Sequence, residues 1–72
     1  SELFTKLKKL RLEILEQENL PAFTIFHDST LKIMAIKKLF NFEELKKIDG
    51  IGGVKLKKYG ATFINLINKK NE

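Results

Sequence analysis

Apolar residues recur along the first part of the chain at the spacing of an α-helix. Four of them lie at intervals of four, three and four residues, with charged residues between: Leu3, Leu7, Leu10 and Ile14. This stripe, flanked by Phe4 and Leu15, predicts an amphipathic helix over residues 3–18 with one buried face. Asn19 can end the helix, and Pro21 prevents its continuation because proline lacks the backbone N–H.

The next segment, LPAFTIFH (residues 20–27), is apolar but short. A strand here would have no partner in the chain, so we interpret the segment as a buried connector with one 3₁₀ turn. Ile25 and Phe26 are expected to enter the core. Phe23, two residues after Pro21, either packs on the first helix or is exposed and stacks on an unpaired nucleobase.

A second helix is predicted after the connector. Asp28 or Ser29 is its expected N-cap, because a short polar side chain can accept hydrogen bonds from the first turn. One apolar face of the helix consists of Leu31, Met34 and Ala35. A second apolar face, at positions i, i+3 and i+7, consists of Ile33, Ile36 and Phe40. A helix that is apolar on two sides lies between other elements or keeps one face for a partner.

A short third helix and a longer final segment complete the pattern. Asn41 is predicted to cap the third helix, with Glu44 completing a capping box. The inward positions of this helix are Phe42, Leu45 and Ile48. After a glycine turn, the last apolar stripe consists of Leu56, Tyr59, Phe63, Leu66 and Ile67. Gly60 interrupts that stripe and is expected to split or kink the helix. The predicted fold is all-α, a compact bundle of four to five helices around one core.

Composition limits the chain to one small domain, which we predict to span residues 1–72. The chain is 43% apolar, enough for one modest core. It contains no cysteine, so side-chain packing must stabilise it, and this composition fits a reducing, intracellular setting. No apolar run approaches the roughly 18 residues that span a bilayer. Because the sequence opens SELF, without an initiator methionine, it is expected to be a piece of a longer protein.

The formal net charge of +5 is concentrated toward the C-terminal end, where residues 54–72 contain five lysines and one glutamate. Such an excess of lysine either forms a face that is simply exposed to solvent or forms a surface that attracts a polyanion. The turn GIGG (residues 50–53) leaves a similar choice. The glycines are needed only for the backbone conformation of the turn. Alternatively, their lack of side chains lets an anionic oxygen approach the first N–H groups of the next helix. In the second case, Lys55 and Lys58 would add charge, and GIGGVK is similar to the hairpin of helix–hairpin–helix DNA-binding modules.

The sequence contains no catalytic constellation. His27 is the only histidine, and although Asp28 follows it, no cysteine is present. Ser29 and Thr30 lie too close in sequence to complete a persuasive triad. The acidic residues are scattered, so neither a magnesium cluster nor a nucleotide-binding loop is predicted. We therefore expect no enzymatic activity, no metal and no cofactor for this domain.

Three segments, taken in order, resemble the HRDC domain, the helicase-and-RNase-D C-terminal domain. They are LFTKLKKLRLEI (3–14), LPAFTIFHDSTLKIMA (20–35) and LKKIDGIGGVKLKKYGATFINLI (45–67). They contain four motifs of the family: a leucine–basic repeat, a proline–x–aromatic motif, the motif IF-x-D-x-TL-xx-MA and the motif GxG-xx-KL-xx-YG. The IF-x-D and KL-xx-YG forms are similar to the RecQ helicase branch. The resemblance covers nearly the whole chain.

The resemblance implies a five-helix bundle, arranged like SAM and helix–hairpin–helix domains, that lies C-terminal to a helicase motor and has no chemistry of its own. By position in the family, it implies DNA contacts for Lys8 and Arg11 of the leucine–basic repeat. It implies another for Phe23, which stands where tyrosine is more usual. The predicted nucleic-acid-binding set is completed by the glycine turn and the lysines after it: Gly52, Gly53, Lys55 and Lys58.

Two functions remain open at this stage. The first is weak, electrostatic binding of single-stranded or partly unwound DNA by a monomeric accessory domain of a RecQ-type helicase, with roles in DNA repair and recombination. The helicase core would belong to the same polypeptide, in the bacterial cytoplasm or a nucleus, and no membrane would be involved. The alternative is a docking or regulatory domain with little DNA binding, whose contact face would be Ile33, Ile36 and Phe40.

Overall fold

The computed structural model describes residues 2–22, 24–37, 41–48 and 51–70 of the chain. Within these ranges four helices follow one another: α1 (Glu2–Glu18), α2 (Asp28–Ile36), α3 (Phe42–Lys46) and α4 (Gly53–Lys70). The described ranges contain no strand, and the all-α prediction is confirmed.

Helix α1 ends at the asparagine that the sequence indicates. Asn19 has a φ of 56°, a left-handed conformation that asparagine tolerates better than most residues. Its N–H donates to the carbonyl of Glu16 at 3.3 Å, and the N–H of Leu20 donates to the carbonyl of Leu15 at 2.9 Å. These two backbone bonds form a Schellman motif, which satisfies carbonyls of the last helical turn. The chain then turns back toward the core, where Leu20 is partly buried.

The connector enters the core through Ile25 and Phe26, as predicted, while Pro21, Ala22 and His27 are exposed. Ile25 is fully buried and Phe26 is 4% exposed. The ring of Phe26 meets the ring of Phe63 edge to face, with centroids 5.1 Å apart. The N–H of Thr24 donates to the carbonyl of Pro21 at 3.1 Å, which is the i→i+3 bond of a 3₁₀-type turn. Two core side chains therefore come from a segment that has no helical periodicity.

Helix α2 begins earlier than the sequence predicts. The expectation that Asp28 or Ser29 is the N-cap is wrong, because His27 occupies that position and makes no side-chain cap hydrogen bond. The carbonyl of His27 accepts the first helical bond, from Leu31. Asp28 lies in the first turn, where its charge favours the positive end of the helix dipole. Its carboxylate accepts a hydrogen bond from Arg11 of α1. The side chain that was expected to cap α2 therefore makes a contact between α1 and α2 instead.

Helix α3 has the predicted cap but not all of the predicted inward face. The side chain of Asn41 accepts a hydrogen bond from the N–H of Glu44 at 2.9 Å. Leu45 is fully buried and Ile48 packs against the core. Phe42, which was expected to face inward, is 43% exposed. Its ring edge instead lies beside α4, next to Gly60.

Helix α4 is continuous from Gly53 to Lys70, and the expectation that Gly60 splits it is wrong. Gly60 is buried between α3 and α4. A Cβ atom built there would lie 3.1 Å from Cε1 of Phe42 and 3.4 Å from Cδ2 of Leu45. It would also lie 3.0 Å from Cδ1 of Leu56 in the preceding turn. Glycine is thus explained by the close approach of α3.

One core joins all four helices and the connector. Its buried apolar residues are Leu7, Ile14, Leu15, Ile25, Phe26, Leu31, Met34, Leu45, Leu56, Tyr59, Phe63, Ile64 and Ile67. α1 packs against both α2 and α4, while α3 packs against α4. The predicted stripes of α1 and α4 supply about half of these residues. The polar faces of α1 and α2, and the start of α4, are left at the surface.

Candidate nucleic-acid interface

Arg11, which the family resemblance assigns to DNA contact, is bound within the fold. Its Nη1 donates to the carbonyl oxygen of Phe26 at 2.9 Å, and its Nη2 donates to Oδ1 of Asp28 at 2.6 Å. The side chain of Arg11 is 17% exposed. Charge-assisted hydrogen bonds are among the stronger ones in proteins, so this guanidinium links α1 to the connector and to α2. A phosphate would have to compete with Asp28 for it.

Cations surround the carboxylate of Asp28. The hydrogen bond from Arg11, followed by the Arg11 charge, holds the pKa of Asp28 below its ordinary value. The charges of Lys8 and Lys32 lower that pKa further by smaller amounts. Neither lysine has a described carboxylate within ion-pair distance. Since Asp28 is already paired with Arg11, the positive charge of both lysines remains uncompensated at this surface.

Lys8 and Lys32 meet at the ring of Phe4. The Nζ of Lys8 lies 4.8 Å from the ring centroid, and the Nζ of Lys32 lies 5.8 Å from it. Both distances are within the range of cation–π attraction. Beside the ring is a groove of about 360 Å³, lined by Phe4, Lys32, Ala35 and Ile36. We refer to this depression, together with Lys8 at its edge, as the Phe4 groove.

Lys58, another predicted contact, is paired with an acid. Its Nζ lies 3.3 Å from Oε1 of Glu18, and the hydroxyl of Tyr59 donates to the same oxygen at 2.8 Å. The bond from Tyr59 is the main reason that the pKa of Glu18 lies below its ordinary value. The bond to Glu18 likewise raises the pKa of Lys58. This cluster ties α4 to the end of α1 and leaves Lys58 less available to a phosphate.

The last two glycines of the turn are exposed and have open space around them. Gly52 and Gly53 are both at the surface, and a Cβ atom built on either would meet nothing within 4 Å. Neither has the positive φ that only glycine adopts readily. Backbone geometry and close approach therefore do not explain these two glycines. The N–H groups of the first turn of α4 have no intrahelical acceptors, and Lys55 beside them is half-buried with no described carboxylate in ion-pair distance.

The structure separates the predicted contacts into two groups. Lys8 and Arg11 lie on the side of α1 that faces α2, whereas the glycine turn, Lys55 and Lys58 belong to α4. Lys58 is held at Glu18, which lies ten residues beyond Lys8 on α1, or about 15 Å along the helix axis. Phe23 lies outside the described residues. The predicted set is therefore not one contiguous site among the described residues.

The second apolar face of α2 is exposed where the structure describes it. Ile33 is 39% exposed and Ile36 is 78% exposed. Phe40, the third member of the predicted docking face, lies outside the described residues. Ile36 lies in the Phe4 groove, and Ile33 lines a cleft of about 710 Å³ between α2 and α3.

Sequence reasoning missed Phe4 and Lys32 as possible contacts. Each has a partner four residues along its own helix, Lys8 for Phe4 and Ile36 for Lys32, and this spacing places two side chains on one helical face. That signal was available in the sequence. The meeting of the two pairs was not, because it depends on how α1 packs against α2.

The described residues include no group of three or more histidines and acids that could hold a metal ion. Likewise, none of the described helices is long and apolar enough to cross a membrane.

Comparison with known proteins gives one family. The family model described as HRDC domain matches residues 1–67. The ATP-dependent DNA helicase RecQ of Bacillus subtilis is 42% identical over 66 residues, which cover 92% of this chain and 11% of that protein. The RecQ helicase of Haemophilus influenzae is 37% identical over 68 residues, covering 94% of this chain and 11% of that protein.

A second type of helicase is also similar. The ATP-dependent DNA helicase UvrD2 of Mycobacterium bovis is 38% identical over 68 residues, covering 92% of this chain and 9% of that protein. The chain thus spans about a tenth of the length of the curated relatives it matches. No solved structure matches it. Because the family match extends over most of the sequence and the relatives agree with it, this chain belongs to the HRDC domain family.

Proposed function

We propose that this chain is the accessory nucleic-acid-binding domain of a RecQ-type DNA helicase. In this proposal, residues 1–72 are one domain of a longer polypeptide whose helicase core performs the ATP-dependent work. The domain catalyses nothing and holds single-stranded or partly unwound DNA weakly. Its family membership supports the accessory role, since the relatives named above are DNA helicases about ten times its length.

The observation that carries the proposal is a set of lysines without neighbouring acids. Among the described residues, those with no carboxylate in ion-pair distance are Lys8, Lys9, Lys32, Lys47, Lys55, Lys57 and Lys69. The paired cations are Lys6, Arg11, Lys37, Lys46 and Lys58. Unpaired surface lysines release counterions from a polyanion when they neutralise its phosphates, which is the main source of sequence-independent binding.

Binding by so few cations is expected to be weak. If about three phosphates of a single strand are neutralised, log K falls with log salt at a slope of about −2, and affinity is micromolar or poorer. A weak site is still useful when it is tethered, because the linker gives it a high effective concentration near the motor. The domain would thus lengthen the time that its helicase stays bound to DNA, although its own contact with DNA is weak.

The test is a titration of the 72-residue chain with a fluorescent oligothymidylate of about ten nucleotides. Between about 20 and 200 mM salt, we expect affinity to fall about a hundredfold. An affinity that does not change with salt would contradict the electrostatic account. Absence of binding at the lowest salt would remove the proposed function.

A second candidate function is supported by the exposed apolar positions on α2. Ile33 and Ile36 are both exposed, which is the condition the docking alternative requires. In that case Ile36→Ser would weaken association with the helicase core of the parent polypeptide and leave oligonucleotide affinity unchanged. Leu12→Ser is a suitable control, since Leu12 is an apolar residue of α1 that is 55% exposed.

A further inference from the structure

The Phe4 groove combines apolar surface with charge from two helices. Ile36 is 78% exposed, which is unusual for an isoleucine on a domain with a single small core. The ring of Phe4 and the methyl group of Ala35 continue this apolar surface, and both are only partly buried. Phe4 and Ala35 also pack against the core, but the core does not account for Ile36, because the fully buried side chains of α2, Leu31 and Met34, lie on the opposite face of the helix.

The cations at the edge of the groove are held close together by the ring itself. Lys8 approaches the Phe4 ring from α1 and Lys32 approaches it from α2, with both Nζ atoms within 5.8 Å of the centroid. Asp28, an acid that both lysines influence electrostatically, is hydrogen-bonded to Arg11. Two lysines without a described ion pair therefore lie at the ring of Phe4, and Lys32 also lines the depression beside that ring.

We infer that the Phe4 groove is the contact site for single-stranded nucleic acid, with a nucleobase on Ile36 and Phe4 and adjacent phosphates on Lys8 and Lys32. This assignment rests on the proposed function, and it selects one surface for it. A nucleotide is complementary to the groove, because its flat base can contact the apolar side chains and its anionic phosphate can pair with the lysines. Stacking and apolar contacts with bases are tolerant of sequence.

The lining of the groove also predicts little base specificity. The described residues that line it are Phe4, Lys32, Ala35 and Ile36, and among these only the lysine carries a side-chain hydrogen-bond donor. A lysine contacts phosphate as a point charge rather than reading base edges. Oligonucleotides of different sequence should therefore bind with similar affinity, and single strands should bind better than duplexes because their bases are free to enter the groove.

An acidic, amphipathic protein segment would satisfy part of the same chemistry. The net charge of +5 and the number of unpaired lysines beyond the groove favour a longer polyanion over a short acidic patch. The charge distribution thus favours nucleic acid as the occupant of the groove. The experiment must distinguish nucleic-acid binding from binding of an acidic peptide.

The experiment is a chemical-shift titration of the ¹⁵N- and methyl-labelled 72-residue chain with an oligothymidylate of about ten nucleotides at low salt. We expect the largest changes at the Ile36 and Ala35 methyl groups and at the amides near Lys8 and Lys32. Lys32→Gln should weaken binding about three- to tenfold and reduce the magnitude of the salt slope by about 0.7. Ile36→Ser should weaken binding about fivefold without changing that slope, because it removes apolar contact and no charge.

Two matched variants control for charge and for apolar surface. Lys46→Gln removes an exposed lysine of α3 that is already paired with Glu43, and Leu12→Ser removes an exposed leucine of α1. Both should bind within about twofold of the native chain, since neither residue borders the groove. Thermal unfolding of all four variants should remain cooperative, because each replaces an exposed side chain.

The possible outcomes distinguish failure of the groove assignment from failure of the proposed nucleic-acid binding. Shifts confined to the glycine turn, with native affinity in Lys32→Gln and Ile36→Ser, would overturn the groove and leave DNA binding intact. The same holds if all four variants bind like the native chain. Absence of shifts anywhere would overturn both proposals. Tighter binding of a ten-residue peptide of alternating aspartate and leucine in the groove would reassign the surface to a protein partner.

Discussion

Helix α4 and the turn before it contain glycine in two regions, for different reasons. In the middle of the helix, Gly60 is buried, and an added Cβ would lie 3.1 Å from the ring of Phe42. At the start, Gly52 and Gly53 are exposed, and an added Cβ would meet nothing within 4 Å. The comparison teaches that a glycine in a helix pattern is not by itself a break. Gly60 permits the close approach of α3, whereas the turn glycines leave open space around backbone N–H groups.

The two regions also differ in how firmly α4 is held. Next to Gly60, the hydroxyl of Tyr59 and the ammonium of Lys58 both meet the carboxylate of Glu18, which attaches α4 to α1. At the start of the helix, Val54 is 80% exposed. The middle of α4 is therefore a packing site, and the start is a surface whose sequence can change without disturbing the core.

The largest expected effect is that of Gly60→Leu. The added side chain has no space between α3 and α4, and overpacking of this kind typically costs about 1–3 kcal/mol. Urea unfolding followed by circular dichroism measures the loss. Ala61→Leu is the control, because Ala61 is exposed on the same helix and should leave stability almost unchanged. A Gly60→Leu chain as stable as the control would mean that α3 does not lie close to Gly60.

Tyr59→Phe should have a smaller effect, lowering the thermal midpoint by a few degrees. The ring of Tyr59 is retained in the core, and only the hydrogen bond to Glu18 is lost. Glu18 keeps Lys58 as a partner and remains in contact with water. A thermal midpoint equal to that of the native chain at neutral pH would show that the hydroxyl does not help to hold α4 against α1.

Acid should weaken the same contact. Because the pKa of Glu18 is lowered in the folded chain, the unfolded state takes up the proton first as pH falls. The stabilisation from Glu18 is therefore present at neutral pH and is lost progressively below about pH 5, as the pH approaches the folded-state pKa.

The pKa of Asp28 is lowered as well, so Asp28 contributes in the same direction. Unfolding free energies measured from neutral pH to about pH 2 should fall less steeply in Glu18→Gln than in the native chain. Equal slopes in the two chains would contradict the role given to Glu18. Glu13→Gln, an exposed position on α1 with no ion pair among the described residues, provides the control.

The smallest effect is expected at the start of α4, and it has the opposite sign. Gly53→Ala should stabilise the chain by about 0.4–1 kcal/mol, because alanine restricts the unfolded chain and meets no steric obstacle in the folded one. Urea unfolding measures the gain. If the Phe4 groove carries nucleic-acid binding, oligonucleotide affinity should not change. A loss of affinity in this more stable variant would place a phosphate at the glycine turn.

Local features of the sequence predicted most of the helical structure. The helical stripes identified the core of α1 and α4, Asn41 identified the start of α3, and Asn19 with Pro21 identified the end of α1. These features are predictable because each depends on hydrogen bonds or side-chain directions within about one helical turn. The N-cap of α2 was mispredicted where a distant residue, Arg11, bonds the expected cap.

The candidate site was predicted less well. The family resemblance indicated Lys8 and Arg11, and the glycine turn with its following charges indicated Lys58. Neither indicated that Arg11 would be bound to Asp28 and Lys58 to Glu18. Lys32 and Phe4 were not singled out at all. Charge along a chain shows that a basic surface exists, but the availability of each cation depends on which acids the fold brings beside it.

The sequence by itself determined the helical class, the identity of most core residues and membership of the HRDC family, because periodicity, capping and ordered motifs are properties of neighbouring residues. Only the tertiary structure decided why Gly60 is glycine, which cations are paired and which apolar side chains border the free ones. Those contacts join residues far apart in the chain, such as the pair of Tyr59 and Glu18 that lies 41 positions apart. They depend on the distance and angle between packed helices, which no local pattern encodes.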